Sequence, residues 1–582
     1  MLRRQLFKSQ NFRRLHTQAS NTSRSLARHR PLTLYTSLAI SAGALWYSLA
    51  HPVFADAPPL VLPESFAPLQ GDDIATGELE DGSITGVVWG SNKNNVISPD
   101  HPEVDLIQRP AASKWLQKVA LRDLALHEAH GACVDARGDV YQWGTGFYGK
   151  STSQANLPQM TLSGKNIASL QVTESRVFAL SLSGKIYVLA SSREQQRPCE
   201  QSPTEGIWGL GSIGIRQKSP VDYVELSTNT PLSWGEKFVS ISAGQDHVLA
   251  LTSSGRTFSY ASTKKANSHG QLGYRKFDLP ASVTQTKSTT RIPVELLPKL
   301  AKDPYSRASP FIRELASSSA DPLEAIDDRH IRFSDTLFEI QSLQGIKVSQ
   351  VAAGSRSSFV LTDSGRALGF GANEYGQMGL GSNVTLDSIA VPTEIVLSRN
   401  VPPSTSTKCL EIAAGGNLTC FVAERTGLST GKFVDVLVCG NGQWGGLGNN
   451  VFTTSQGNPT RARNVSGLKE YNEKLGTSSP IVPHGISISP TGHILLSLDT
   501  RHEGSGRDLV VWGLNQDYQL GTGRKSSLAV PTMIEKPDGK RFMLVDKKAL
   551  VDDLLGRSYG KVLVQQHAVA GYGNSVIYWK IC

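Results

Sequence analysis

VAAGSRSSFVLTDSGRALGFGANEYGQMGLG, residues 351–381, holds two half-motifs in tandem. The first, VAAGSRSSFVLTDSG (351–365), is a small-residue turn that feeds an apolar strand and ends on a Gly turn. The second, ALGFGANEYGQMGLG (367–381), is a strand that ends in a bulky residue and runs into a Gly-rich loop. Short apolar runs bounded by turn residues are the pattern of buried strands.

Both halves recur along the chain. The first returns as ISAGQDHVLALTSSG (241–255), with weaker copies at 124–138, 170–184, 412–424, 486–498 and 567–579. The second returns as VVWGSN (87–92), VYQWGTG (140–146), VLVCGNGQWGGLG (436–448) and VVWGLNQDYQLGTG (510–523). Degenerate copies are KIYVLAS (185–191) and TFSYAST (257–263) with its later GQLG (270–273). The pattern opens on an unpaired second half, VVWGSN, and closes on an unpaired first half, HAVAGYGNSVIYW (567–579). Seven of each half exist only if the two ends share one sheet, which removes the open edges of a ring. Residues 84–582 therefore predict an all-β fold, a seven-bladed β-propeller.

Three positional expectations follow. The third loop position (Asn92, Gly146, Asn373, Gly442, Asn515) carries residue types that tolerate positive φ. A Gly between the two strands (Gly138, Gly184, Gly255, Gly365) permits a tight hairpin. A proline after most loops (Pro158, Pro220, Pro293, Pro392, Pro459, Pro531) suggests a stiff outer connection. A polar insertion at about 295–345 separates the GQLG of one blade from the next VAAG, and reads as either a docking element or a disordered loop.

The net charge of +9 resides in the leader. Residues 1–55 hold eight Arg and Lys and no acid, leaving 51 basic against 50 acidic residues elsewhere. Bulk charge thus gives no support to a nucleic-acid surface. Residues 1–30, rich in Arg and Ser with interleaved Leu and Phe, have the composition of a mitochondrial presequence, with a disordered basic tail as the alternative. Leu32 to Ala50 is uncharged, with Trp46 and Tyr47 near one end, so 31–51 is expected to be a single transmembrane helix. Proline-rich residues 52–83 read as a linker. Sequons at Asn21, Asn383, Asn417 and Asn464 keep a secretory signal anchor open as the rival.

Chemistry-bearing motifs are sparse. GTGFYGKS (Gly144–Ser151) satisfies the P-loop pattern, but TSQANLP follows in place of a helix, and Lys150 occupies a position that is Gln377 or Gln519 in other repeats. GLGSIG (209–214) lacks a βαβ context. His130 and His247 share a repeat position, which suggests an internal hydrogen-bonding role in separate blades and not a metal pair. The six cysteines (Cys133, Cys199, Cys409, Cys420, Cys439, Cys582) form no close pair and read as buried, inert thiols. No catalytic, cofactor-binding or metal-binding residue is expected, and no cofactor.

The strings AAGxxSxxL and WGxNxxGQLG resemble the regulator-of-chromosome-condensation repeat family of seven-bladed propellers, with departures in the second and third blades. The whole layout resembles a fungal mitochondrial inner-membrane branch of that family, implicated in assembling respiratory complex III. That resemblance implies a non-catalytic scaffold or assembly factor in the inner membrane, its propeller facing the intermembrane space. Its partners would be respiratory-complex subunits or assembly factors, with the membrane engaged through one helix and neither nucleic acid nor a small-molecule substrate bound. The family also implies two alternatives: a guanine-nucleotide exchange factor for a mitochondrial GTPase, and a mitochondrial ribosome-binding protein.

Overall fold

The computed structural model describes residues 84–149, 157–196, 221–280, 291–298, 327–399, 401–427, 431–472, 476–500, 506–535 and 541–582. The predicted presequence (1–30), span (31–51) and linker (52–83) lie outside them, as do Lys150, Cys199, Pro220 and the GLGSIG run at 209–214. Among the described residues, no helix is long and apolar enough to cross a membrane.

Seven sheets follow one another in chain order, antiparallel except where Ser227–Thr228 pairs in parallel with Thr336–Glu339 at the edge of blade three. Blades one to six begin with the inner strands Asp123–Leu126, Ile167–Val172, Phe238–Ala243, Val348–Ala353, Ser406–Gly415 and Pro483–Ile488. Each inner strand touches the next, and the first touches Ser558–Ala570 of blade seven, so the ring closes. Blade seven is assembled from both ends of the propeller. Asn574–Ile581 pairs with Ser558–Ala570 on one side and with Gly86–Ser91 on the other, in the register Val87↔Ile577 and Val88↔Val576. Leu106–Ser113 completes its outer edge. The shared blade is as the complementary half-motifs require.

Burial explains the composition of each strand. The second strands, such as His247–Thr252, Ser357–Thr362 and His493–Leu498, are buried along their whole length, because a neighbouring blade covers each face. Inner strands such as Phe238–Ala243 (FVSISA) are only partly buried and use small residues where seven strands converge. Trp89, Trp143 and Trp512 lie at or near the ends of third strands, are fully buried, and donate Nε1–H to the loop of the preceding blade: Gln519 O at 2.8 Å, Val96 O at 2.8 Å and Gly446 O at 2.9 Å. Each ring fills an inter-blade layer while its one polar atom is satisfied.

Three sequence expectations need correction. Positive φ falls on the Gly two residues before the third loop position: Gly90, Gly144, Gly371, Gly440 and Gly513 lie between 100° and 111°. Asn92, Asn373 and Asn515 are instead buried hydrogen-bonding hubs. Asn515 Nδ2 donates to Ser526 O at 3.1 Å, and its Oδ1 accepts from Leu520 N at 2.9 Å; Asn373 does the same with Leu386 O and Met378 N. The hairpin glycines behave as expected, with φ from 82° to 89°.

The prolines also sit differently. Pro392, Pro459 and Pro531 lie within the outer strands Ser388–Ile395, Thr453–Arg461 and Leu528–Met533. An edge strand tolerates a missing N–H, so these residues blunt the edge instead of stiffening a connection.

Finally, the insertion lies inside blade three. Thr336–Glu339 pairs with Thr257–Ala261 as an outer strand, and Phe333, Leu337, Ile340 and Leu343 are buried. The extra chain therefore runs between the third and outer strands. It includes a hairpin of Lys276–Pro280 with Arg291–Glu295, and its residues 299–326 lie outside the described set.

Candidate functional site

Two histidines at the recurring position, His247 and His493, fasten neighbouring blades. His247, in blade three, places Nε2 2.8 Å from Ser358 Oγ of blade four, which donates to Gln271 O of blade three at 2.7 Å. His493 repeats this between blades six and seven, through Ser575 Oγ at 3.1 Å and Gln519 O at 2.8 Å. Burial pushes His247 down to about 4 and His493 to about 3, so both rings are neutral at physiological pH. His130 holds the equivalent place in blade one, and Arg176 holds it in blade two. The fully buried Arg176 donates to Ser262 O, and at 2.9 Å to both Asp328 O and His330 O, tying down the chain as it returns from the insertion. His130 and His247 thus lie in separate blades; His247 has the expected hydrogen-bonding role, whereas His130 Nε2 is buried with no hydrogen-bond partner among the described residues. His493 was legible by the same register, from SPTGHILL; Asn267, a buried hub like Asn373 that donates to Leu296 O at 2.8 Å and accepts from Leu272 N at 3.2 Å, was legible by its place four residues before Gln271.

At the axis, the turns between first and second strands surround a cavity of about 650 Å³. Its wall includes His127, Glu128, Glu174, Gln245, Ser355 and Tyr572, with every blade represented. The rim is hydrogen-bonded across blades, Gln245 N to Ser355 O and Ser355 N to Gly416 O, both at 2.8 Å. Burial lowers His127 to about 4, and burial reinforced by Glu128 and Glu174 raises Tyr572 to about 12. The mouth therefore presents neutral rings and carboxylates. Such a surface suits hydrogen-bond donors and cationic side chains.

A second surface was missed in the sequence. Asp546–Asp552 and Ser558–Ala570 form a hairpin that extends blade seven beyond the repeat. One face, Ala549, Val551 and Val564, is buried against Ile84, Ala120 and Trp579. The opposite face exposes Leu550 (68%), Leu563 (45%) and Tyr559 (40%), alternating with the exposed Lys548 and Lys561. Lys548 pairs with Leu563 and Leu550 with Lys561, so the register interleaves apolar and cationic groups. Period-two alternation in DKKALVD was the available signal, but it lies outside the repeat period.

The remaining candidates are dispersed. Thr145–Tyr148 of the P-loop-like run forms a single helical turn, and Gly149 has φ 86°, matching Gly376 and Gly445 in other loops (73° and 82°). Cys133, Cys409, Cys420 and Cys439 are buried, and burial raises each thiol's pKa; Cys582 is exposed, contrary to expectation. Among the described residues, no group of three or more His, Cys, Asp or Glu is placed to hold a metal ion.

Residues 364–422 and 509–546 match the regulator of chromosome condensation (RCC1) repeat, and 348–377 match a second description of that repeat. The chain carries regulator-of-chromosome-condensation repeats. This repeat protein is similar to Protein FMP25, mitochondrial, of Saccharomyces cerevisiae, at 26% identity over 262 residues. The match spans 43% of this chain and 40% of that relative's length. In fold it is similar to human WBSCR16 (TM-score 0.51, 16% identity, 85% of this chain and 100% of that one). It is similar as well to yeast RCC1 (Prp20), solved bound to Kap60 (TM-score 0.50, 16% identity, 86% and 89%).

Proposed function

We propose that this repeat protein is a non-catalytic scaffold of the mitochondrial inner membrane that docks subunits or assembly factors of respiratory complex III. In this reading residues 1–30 direct import, residues 31–51 tether the chain, and the propeller faces the intermembrane space. The observation that carries the docking role is the exposed face of the blade-seven hairpin. Leu550, Tyr559 and Leu563 offer apolar anchors between Lys548 and Lys561, on a sheet whose other face is fixed in the core. A rigid face with apolar anchors and a charged rim is suited to protein recognition. The similarity to a mitochondrial relative supports the compartment, and the resemblance of the overall layout supports the complex.

Proximity labelling from the propeller in isolated mitochondria tests side and partner together. The reading expects labelling of complex III subunits or their assembly factors, lost when Leu550 and Leu563 are both replaced by Gln while protein abundance holds. Labelling of a GTPase instead, dependent on its bound nucleotide, would support the exchange-factor alternative.

A further inference from the structure

At the seam between blades four and five, Arg399, Arg425 and Arg461 line a cavity of about 270 Å³ whose apolar wall includes Leu397, Leu437 and Pro459. Arg425 lies on Leu418–Gly427, Arg461 ends Thr453–Arg461, and Arg399 follows the outer strand of blade four. Strand register brings the first two together. Arg425 pairs with Phe433 and Arg461 with Leu437, so Asp435 sits between them on one face. The buried Asp435 carboxylate lies 3.2 Å from Arg425 Nε and 2.8 Å from an Arg461 guanidinium nitrogen. No carboxylate lines the cavity itself. Three guanidinium groups against one carboxylate leave a local excess of two positive charges.

The donors are also under-used. Arg425 is 3% exposed, and among the described residues its side chain donates one hydrogen bond, from Nη2 to Leu397 O at 3.3 Å. Burial pulls its pKa below the usual arginine value, which marks a cation in an unfavourable medium. Arg399 makes no hydrogen bond or ion pair among the described residues, and Gly381 leaves room for its guanidinium, because a Cβ there would collide with Nη1. Planar donor forks over a partly apolar pocket match the geometry of phosphoryl oxygens.

We propose that this cavity binds a phosphoryl oxyanion. Its volume falls just below the roughly 300–1,000 Å³ of pockets for drug-sized ligands, which suits one phosphate group and not a whole nucleotide. The site goes beyond the scaffold reading and does not depend on it.

The test uses the intact protein, melted in inorganic phosphate and in sodium chloride of equal ionic strength. Phosphate is expected to raise Tm by at least about 1 °C over chloride, because binding to the folded state alone stabilises it. Arg399→Glu should abolish that difference without lowering Tm in chloride, since Arg399 has no hydrogen bond or ion pair to lose among the described residues and the change relieves the excess positive charge. Equal melting in the two salts, or a phosphate effect that survives Arg399→Glu, overturns the proposal. O-phosphoserine separates the sources: a shift with both probes supports a phosphorylated partner side chain, and a shift with inorganic phosphate alone supports a small phosphate.

Discussion

His247 Nε2 lies 2.8 Å from Ser358 Oγ, across the boundary between blades three and four. Ser358 has one hydroxyl proton, and the carbonyl of Gln271, 2.7 Å away, can only accept it. The imidazole must therefore donate to the serine, which fixes the Nε2–H tautomer. Ser358→Ala leaves a buried donor and a buried carbonyl unpaired and should cost about 1–3 kcal/mol. Ser575→Ala should cost toward the lower end of that range, because Gln519 O keeps its hydrogen bond from Trp89 Nε1 and only His493 is left unpaired. Urea denaturation of each variant measures this; a loss confined to one of them would show that the two relays are not equivalent.

Blade one keeps the histidine but not the serine. The residue that corresponds to Ser358 and Ser575 is Val177 in blade two, and His130 Nε2 is buried with no hydrogen-bond partner among the described residues. His130→Leu should therefore be tolerated better than His247→Leu, by on the order of 1 kcal/mol, since no hydrogen bond is removed. Equal destabilisation of the two variants in parallel melts would count against the relay as a source of stability.

These histidines also make the fold sensitive to acid. The unfolded imidazole titrates near about 6.5. In the fold, burial lowers His127, His247 and His567 to about 4, and His130 and His493 to about 3. Below pH 6.5 the unfolded chain takes up protons that the folded chain does not, so stability is full above that pH and falls as pH drops toward 4. Each histidine contributes a slope of up to about 1.4 kcal/mol per pH unit. Asp123, Asp135 and Glu411, raised by burial, oppose this, because in the fold they take up protons at pH values above the ordinary carboxylate range, before their unfolded counterparts do. Denaturation at pH 7.5, 6.5 and 5.5 should show a growing loss, and His247→Gln should reduce its slope by about one proton. A flat profile to pH 5 would contradict the neutral, buried assignment.

The ring was legible because its period is carried by backbone demands that few residues meet. Gly90, Gly371 and Gly513 recur since the chain turns there at positive φ, and their spacing survives where side chains have diverged. The role of Asn373 was misread because Asn serves equally as a positive-φ residue and as a side-chain hub, and only the observed bonds to Leu386 and Met378 separate the two. The Arg425–Asp435–Arg461 row had no linear signature. It arises from the register of three strands, and Arg399 arrives from another blade. The exposed face of the hairpin was hidden for a related reason: its buried counterpart, Val551 and Val564, packs on Ile84 at the other end of the propeller sequence.

The insertion should be dispensable for folding. Replacing residues 299–326 with a short Gly/Ser linker removes no described strand and leaves both flanks anchored, Arg291–Glu295 by its hairpin and residues 328–330 by Arg176. Loop-closure entropy varies slowly with length, so Tm should move by no more than about 2 °C. A collapse of thermal stability would make the segment part of the core. Unchanged Tm with lost partner labelling would make it a docking element.

Closure of the ring gives the most severe expected effect. Asn574–Ile581 is hydrogen-bonded on both sides, to Ser558–Ala570 and to Gly86–Ser91, and among the described residues no other strand joins the two ends of the propeller within blade seven. Deleting residues 571–582 removes the fully buried Val576 and Tyr578, takes Ser575 from His493, and leaves unpaired edges on two strands. Loss of one large buried aromatic alone typically costs about 3–5 kcal/mol, against a total stability of about 5–15 kcal/mol. The truncated chain should therefore elute as aggregate on size exclusion, with no cooperative melt. Gly90→Ala probes the same seam without truncation: Gly90 has φ 100°, and a Cβ there would stand 2.6 Å from Asn574 Cα, backbone to backbone across the closure. Backbone strain of about 1–3 kcal/mol is expected from the substitution. Limited proteolysis should then cut first near the termini, because their pairing is what the added atom disrupts. A monomeric truncation with native melting, or a Gly90→Ala variant with unaltered proteolysis, would mean that the two ends do not hold the ring together.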